Sequence, residues 1–299
     1  MNIQFVLPKW SITMPWVSNI QKVFGAGTEF VPIPDLSKNP EAIVFMWCNS
    51  DTAKYINSSN HNIPMIVFMR RYEFFSGEWG QIDWHKVKHL IFVNDVFRIE
   101  FEEVFPEKPV KTSVIYNSVD TDKWTYKEHK HGKKIAMVGY VNQRKNLPLA
   151  TQILSALPEG YELHIIGGIQ CPETFMYMVN QASRTKRVIQ SYGHVNSTVA
   201  NTILDDMDYI LCTSISEGNP NNVNEGMAKG LKPLVHTWPG AGWQYPPELT
   251  FSTVKEALAL IDPTSPYDSM QYKQLVEDKF SFKNVEALKT IVQDAVGNK

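Results

Sequence analysis

Two carboxylates stand eight positions apart in "SISEGNPNNVNEGMAKG", Ser214–Gly230: Glu217 and Glu225. Each presents two acceptor oxygens, so each can take hydrogen bonds from vicinal hydroxyls, as on a ribose or another sugar. Glu217 is followed by Gly218, Asn219, Pro220, Asn221 and Asn222, a run that excludes regular structure. Glu225 lies in a stretch that can be helical, with Asn221 or Asn222 as cap and Gly230 closing it in the left-handed conformation. Free amide N–H groups at the start of such a helix suit a phosphate. The residue types therefore point to a ligand carrying both hydroxyls and phosphate.

The elements that must position these groups are legible as short apolar runs bounded by turn residues. "IQFVLP", "TEFVPIP", "AIVFMWC", "IPMIVFM", "HLIFVN" and "TSVIYN" are apolar on both faces, as strands of a parallel sheet covered on both sides are. Segments such as "MPWVSNIQKVF" and "DVFRIEFEEVF" between them are long enough for helices. After the polar stretch "YKEHKHGKK" the pattern restarts with "IAMVGY", "YELHIIGG", "RVIQSYG", "DYILCTS" and "KPLVHTW", separated by "LPLATQILSAL" and "NSTVANTILDDM". Two strand–helix series joined by a polar linker predict two doubly wound α/β domains, 1–126 and 127–275. The closing segment 276–299 contains an amphipathic helix with Val285, Leu288, Ile291, Val292 and Val296 on one face, able to pack back towards the first domain. "DYILCTS" ends near Ser214, and ligands of open α/β sheets bind beyond the carboxyl ends of the strands, which puts Glu217 where a ligand would be.

Composition narrows the classes. The chain has 299 residues, 43% hydrophobic and 20% charged, suited to two soluble globular domains. A net charge of -2 gives no bulk electrostatic argument for a nucleic-acid partner, although a local basic face stays open. Cys48, Cys171 and Cys212 have no metal spacing, and two of them lie in apolar runs, so reduced buried thiols and a cytoplasmic location are expected. Neither a signal peptide nor a membrane span is expected from the sequence.

The string from Ser214 to Pro233, with Glu-Gly and a proline, seven residues between two glutamates, then Met227-Ala228-Lys229-Gly230 and Pro233, resembles the donor site of retaining GT-B glycosyltransferases, family 4. The likeness runs from about residue 88 to 240. "IAMVGYVNQRKN" is similar to that family's first donor-domain strand and loop, with Gly139 and with Lys145-Asn146 in place, but Tyr140 stands where the family has arginine. "VIYNSVDTDKW" resembles its hinge-side signature, and "LHIIGG", with Gly167, its strand–glycine turn. The family's glycine-rich loop after the first strand is replaced by "PKWSITMPW", and its His-Asp after the fourth strand by Arg70 and Arg71.

The resemblance implies two Rossmann-like domains facing a central cleft and transfer of a sugar, with retention, from a nucleotide-diphosphate donor to an acceptor hydroxyl. It implies Lys145 on the diphosphate, Arg144 as a candidate second cation, Glu225 on the ribose and Glu217 on the transferred sugar. Ser214, Gly139, Gly167 and the segment Gly218, Asn219, Pro220, Asn221 and Asn222 would complete the donor site. Lys9, Arg70 and Arg71 are candidates on the acceptor or phosphate side, a structural ion pair being the other use of the arginines. No cofactor and no metal are expected, the nucleotide sugar being a co-substrate. The Asp120-x-Asp122 and Asp206-x-Asp208 pairs read as turn residues and a helix end, and His85 with His89 lacks a third ligand. Gly25-x-Gly27 follows a helix and precedes a strand, the reverse of a dinucleotide fingerprint. Two other readings stay open. One is a phage-type enzyme glycosylating modified DNA bases, served by a basic face of Arg70, Arg71, Lys86, Lys88, Lys108 and Lys111. The other is a catalytically weak nucleotide-sugar-binding protein.

Overall fold

The computed structural model describes residues 1–11, 15–25 and 27–297. The chain divides into two compact units, Met1–Asp120 with Lys279–Lys299, and Thr121–Asp278. Residues 121–126, grouped with the first domain from sequence, go with the second unit. Lys123 O accepts from Asn201 Nδ2 at 3.1 Å, and the buried Lys229 ammonium reaches Thr125 O and pairs with Asp205 at 2.6 Å.

In the first unit six strands, β1 (Ile3–Val6), β2 (Thr28–Val31), β3 (Ala42–Phe45), β4 (Met65–Met69), β5 (His89–Phe92) and β6 (Lys111–Val114), pair in parallel in the order β2-β1-β3-β4-β5-β6. Successive residues of one strand enter different cores. Ala42 and Val44 join Ile3, Phe5 and Ile66 on one face, while Ile43 and Phe45 join Met65, Val67 and Phe92 on the other. Burial on both faces is why these strands read as unbroken apolar runs. Helix α1 (Pro15–Phe24) and the last helix of the chain (Lys283–Gly297) cover the first face. Of the latter's predicted stripe, Val285, Leu288 and Val292 are buried there with Ala295, and Ile291 and Val296 are partly buried. Helices α2 (Ser50–Ser58) and α4 (Asp95–Val104) cover the second face and are capped by the side chains of Asn49 and Asn94; the short α3 (Arg71–Ser76) follows β4. The hinge-side signature closes this unit, Val119 N donating to Phe280 O at 2.7 Å.

The second unit repeats the design with β7 (Lys134–Val138), β8 (Glu162–Ile166), β9 (Val188–Ser191), β10 (Tyr209–Cys212), β11 (Lys232–His236) and β12 (Thr250–Phe251), all parallel, in the order β12-β11-β10-β7-β8-β9. The connecting helices are α5 (Leu147–Ala156), α6 (Pro172–Thr185), α7 (Ser197–Leu204) and α8 (Asn221–Ala228). The order reverses between β7 and β10, so the crevice where a doubly wound sheet holds its ligand opens at the carboxyl ends of those two strands.

Helix α8 is pressed onto β10. A Cβ at Gly226 would stand 2.9 Å from Ile210 Cβ, and one at Gly230, which has φ +95°, would stand 2.5 Å from Lys127 O. Gly226→Ala should therefore destabilise the protein by about 1–3 kcal/mol through overpacking, outweighing a helix-propensity gain of up to about 1 kcal/mol. A lower urea midpoint with an unchanged slope is the expected result.

Candidate active site

The loop after β7 and the loop after β10 are laced together by one side-chain and one backbone hydrogen bond. A single turn, Gln143–Lys145, is capped by Asn142, whose Oδ1 accepts from Lys145 N at 3.2 Å, and ends on Asn146 in the left-handed conformation. Thr213 Oγ1 donates to Lys145 O at 2.7 Å, and Ile215 N donates to Arg144 O at 3.0 Å. Gly139 and Gly167 let β7 and β8 end in contact: a Cβ on Gly167 would lie 2.0 Å from Gly139 O, and one on Gly139 3.1 Å from Lys145 Cε. The lysine stem thus runs close across Gly139, whose φ of +125° itself favours glycine.

Three donors converge on one oxygen of Glu217. Lys145 Nζ lies 2.8 Å from Oε1, Arg144 Nη1 2.5 Å and Ser214 Oγ 2.8 Å. Lys145 is 7% exposed and Glu217 8%. Burial pushes the Glu217 carboxyl up, but the Lys145 ammonium and the Arg144 guanidinium overcome it and hold the group at about 2. Glu225 is the opposite case. Burial raises its carboxyl to about 7, against a smaller pull from Lys123; its carbonyl accepts from Lys229 N at 3.3 Å, and none of the described residues hydrogen-bonds to the carboxylate.

Between the two glutamates the backbone is fixed by buried amides. Gln244 Nε2 donates to Gly218 O at 2.6 Å, Asn219 Nδ2 to Gln244 Oε1 at 2.8 Å, and Tyr245 OH to Asn224 Oδ1 at 2.7 Å. Pro220 is the residue before α8 and supplies no side-chain cap, so neither Asn221 nor Asn222 caps the helix as the sequence suggested. Asn222 instead donates to Val138 O at 2.5 Å, pinning the first turn of α8 to the end of β7; Asn221 is exposed. The amides of Asn221 and Asn222 have no intrahelical acceptor, being first in the helix. Of the residues singled out from sequence, Lys145, Arg144, Ser214 and Glu217 meet directly at the switch point of the second sheet, with Gly139, Gly167 and Asn222 at the adjoining strand ends, while Glu225 lies further along α8. Gln244, Asn224 and His236, whose Nδ1 lies 3.0 Å from Ser214 O, were not expected there. Tyr140, at the place of the arginine in the resembling family, turns its ring parallel to His194 at 6.2 Å, and Arg144 shares the Glu217 carboxylate with Lys145.

The first-unit candidates are placed separately. Lys9 is exposed in the turn Lys9–Ser11 after β1, and residues 12–14 of the replaced loop lie outside the described residues. Arg70 follows β4, donates to Met46 O at 3.3 Å and to Asn117 Oδ1 at 3.0 Å, and lies 4.6 Å over the Trp47 ring. Arg71 lies 5.8 Å over Phe75. The six basic residues named for a DNA acceptor do not share one end of the first sheet. Arg70 and Arg71 follow the carboxyl end of β4, whereas Lys86 and Lys88 precede β5 and Lys108 and Lys111 lie at the amino end of β6. In parallel strands at about 3.3 Å per residue these are opposite ends of the sheet. Lys86 is moreover committed to Asn57 O at 2.7 Å and Ser59 O at 3.1 Å.

Among the described residues no group of three His, Cys, Asp or Glu side chains is placed to hold a metal. His85 lies in a turn and His89 in β5, so they share no helical face; His89 pairs with Ser113 at 2.9 Å and is lowered to about 4 by burial and by Lys111. Asp120 lies 4.0 Å from Lys22, and Asp208 Oδ2 accepts from Lys134 N at 2.8 Å. None of the described helices is long and apolar enough to cross a membrane.

Solved structures with the same architecture span both units. HepE of Anabaena in complex with UDP superposes with a TM-score of 0.77 over 99% of this chain and 100% of its own, at 12% identity. The fold is GT-B. A glycosyltransferase from Rickettsia africae gives 0.75 over 99% of each chain at 12% identity. The lipopolysaccharide outer core galactosyltransferase WaaB gives 0.72 over 98% of this chain and 99% of its own at 14%. No family model matches the sequence, and no curated protein matches it significantly.

Proposed function

We propose that this chain is a retaining, metal-independent, cytoplasmic glycosyltransferase that moves a sugar from a nucleotide-diphosphate donor to a hydroxyl of a glycan or glycoconjugate. The observation that carries the proposal is the meeting of Lys145, Arg144, Glu217 and the first turn of α8 at the switch point of a GT-B donor domain. The UDP in the Anabaena neighbour, and the UDP with glucose in a second structure of it, support the donor class. The buried free thiols of Cys48 and Cys212 fit a reducing compartment.

In this mechanism the bond from the sugar's anomeric carbon to the diphosphate breaks, its electron pair leaving with the phosphate oxygen. The acceptor oxygen bonds to the same face, and its proton passes to the departing phosphate. Lys145, Arg144 and the α8 amides stabilise the charge that develops there, the largest contribution asked of the protein. Glu225 holds the ribose diol and Glu217 the hydroxyls of the transferred sugar. A glycan acceptor is favoured over DNA because the basic residues of the first unit divide between two ends of its sheet.

A thermal-shift panel of nucleoside diphosphates and their sugars tests the donor, since a ligand present at 100 times its Kd stabilises by about 2.7 kcal/mol. Donor hydrolysis is expected to survive EDTA, and NMR of the first-formed glycoside to show the donor's anomeric configuration. An inverted product or an absolute need for manganese would overturn the mechanism. Steeply salt-dependent DNA binding would overturn the acceptor class. Donor binding without turnover would leave a nucleotide-sugar-binding protein.

A further inference from the structure

The two cations expected to meet the diphosphate face an anion of the chain itself. One oxygen of Glu217 takes Lys145, Arg144 and Ser214 at once, and both ends of the lysine pair are buried. The ion pair is not what joins the two loops, because Thr213 Oγ1 to Lys145 O and Ile215 N to Arg144 O join them without it. Removing one partner from such a cluster leaves buried charge uncompensated. A second anion reaching the same cations would compensate them equally well. The pinned first turn of α8, beside Gly139 and the lysine stem, offers amides to an anion arriving on that side.

We propose that Glu217 is a stand-in for the donor's diphosphate, neutralising Lys145 and Arg144 while the site is empty and releasing them when the donor arrives. The exchange frees the carboxylate for the hydroxyls of the transferred sugar, so one side chain serves both states. The proposal rests on the donor-site reading above and adds an order of events to it. The ligand-free protein's own carboxylate competes with every diphosphate, so removing its charge should tighten diphosphate binding. A residue that touches only the sugar would leave that affinity unchanged. A purely structural residue would weaken it.

The test is calorimetric titration of Glu217→Gln and wild-type protein with inorganic pyrophosphate, UDP and uridine. Glu217→Gln should bind pyrophosphate and UDP about tenfold tighter than wild type, with uridine unchanged and turnover of a sugar donor reduced. The unliganded variant should melt earlier than wild type and recover on adding pyrophosphate. Ser214→Ala, which removes one donor to the carboxylate without changing charge, should shift pyrophosphate affinity in the same direction by a smaller factor. Equal or weaker binding by Glu217→Gln overturns the stand-in role while leaving the donor site intact. Failure of wild type to bind any diphosphate, with Lys145→Ala indistinguishable from it, overturns the donor site itself.

Discussion

Lys145→Ala is expected to weaken binding of a nucleoside diphosphate by about 3 kcal/mol, on the order of a hundredfold, while the bare nucleoside binds as before. The ammonium is buried, reaches its place across Gly139 and is held by a turn whose cap and backbone bonds do not involve its side chain. Truncation therefore removes charge without unlacing the loops, and Glu217 keeps Arg144 as a partner. Arg144→Ala should cost less, since the guanidinium side chain is 25% exposed and better screened. Calorimetry with diphosphate and nucleoside separates the phosphate contribution from that of the rest of the ligand. An unchanged diphosphate affinity in Lys145→Ala would remove the lysine from the site. In the proposed mechanism the same cations stabilise the leaving group, so turnover with an intact donor should fall at least as far as affinity does.

What was legible in the sequence was what repeats locally. Runs such as "AIVFMWC" gave the parallel sheets because burial on both faces leaves a mark on every residue of a strand. Gly139 and Gly167 stood out by resemblance and Gly230 as a left-handed helix end, whereas the close approaches that glycine admits at all three appear only in the fold. The Glu217–Glu225 spacing was legible as one loop and one helix. The capping asparagines were misread because Pro220 already sets the entry to α8, freeing Asn222 to reach Val138 O across 84 positions. The meeting of Lys145 with Glu217, 72 positions apart, and the clamp of Gln244 on Gly218, 26 positions away, exist only in the folded sheet order. The six basic residues looked like one face because sequence proximity does not say which end of a parallel strand a flanking residue occupies.

Glu225 should give nucleotide binding a pH dependence that no other donor-site carboxylate supplies. Its carboxyl is raised to about 7 by burial, against an ordinary value of 4.5, whereas Glu217 is held at about 2 and stays ionised throughout the working range. A raised carboxyl means that the folded, empty protein binds this proton more tightly than the unfolded chain. Its contribution to stability is then most favourable below pH 4.5, declines as pH rises from 4.5 to about 7, and levels off above that. A ribose diol donates to the carboxylate, so the ligand prefers the deprotonated form, lowers the group's pKa and expels a proton on binding near neutrality. Affinity for a nucleoside should therefore rise with pH through about 7 and reach a plateau; a nucleoside is the right probe because its lack of phosphate removes the ligand's own titration there. Glu225→Gln should flatten that profile, and Glu225→Ala should cost about 2–4 kcal/mol of nucleotide binding at pH 8, the loss of a charge-assisted pair of hydrogen bonds. Calorimetry in two buffers of different ionisation enthalpy should find proton release at pH 7 in wild type and none in Glu225→Gln. A flat wild-type profile, or proton release that persists in the variant, would place the ribose elsewhere.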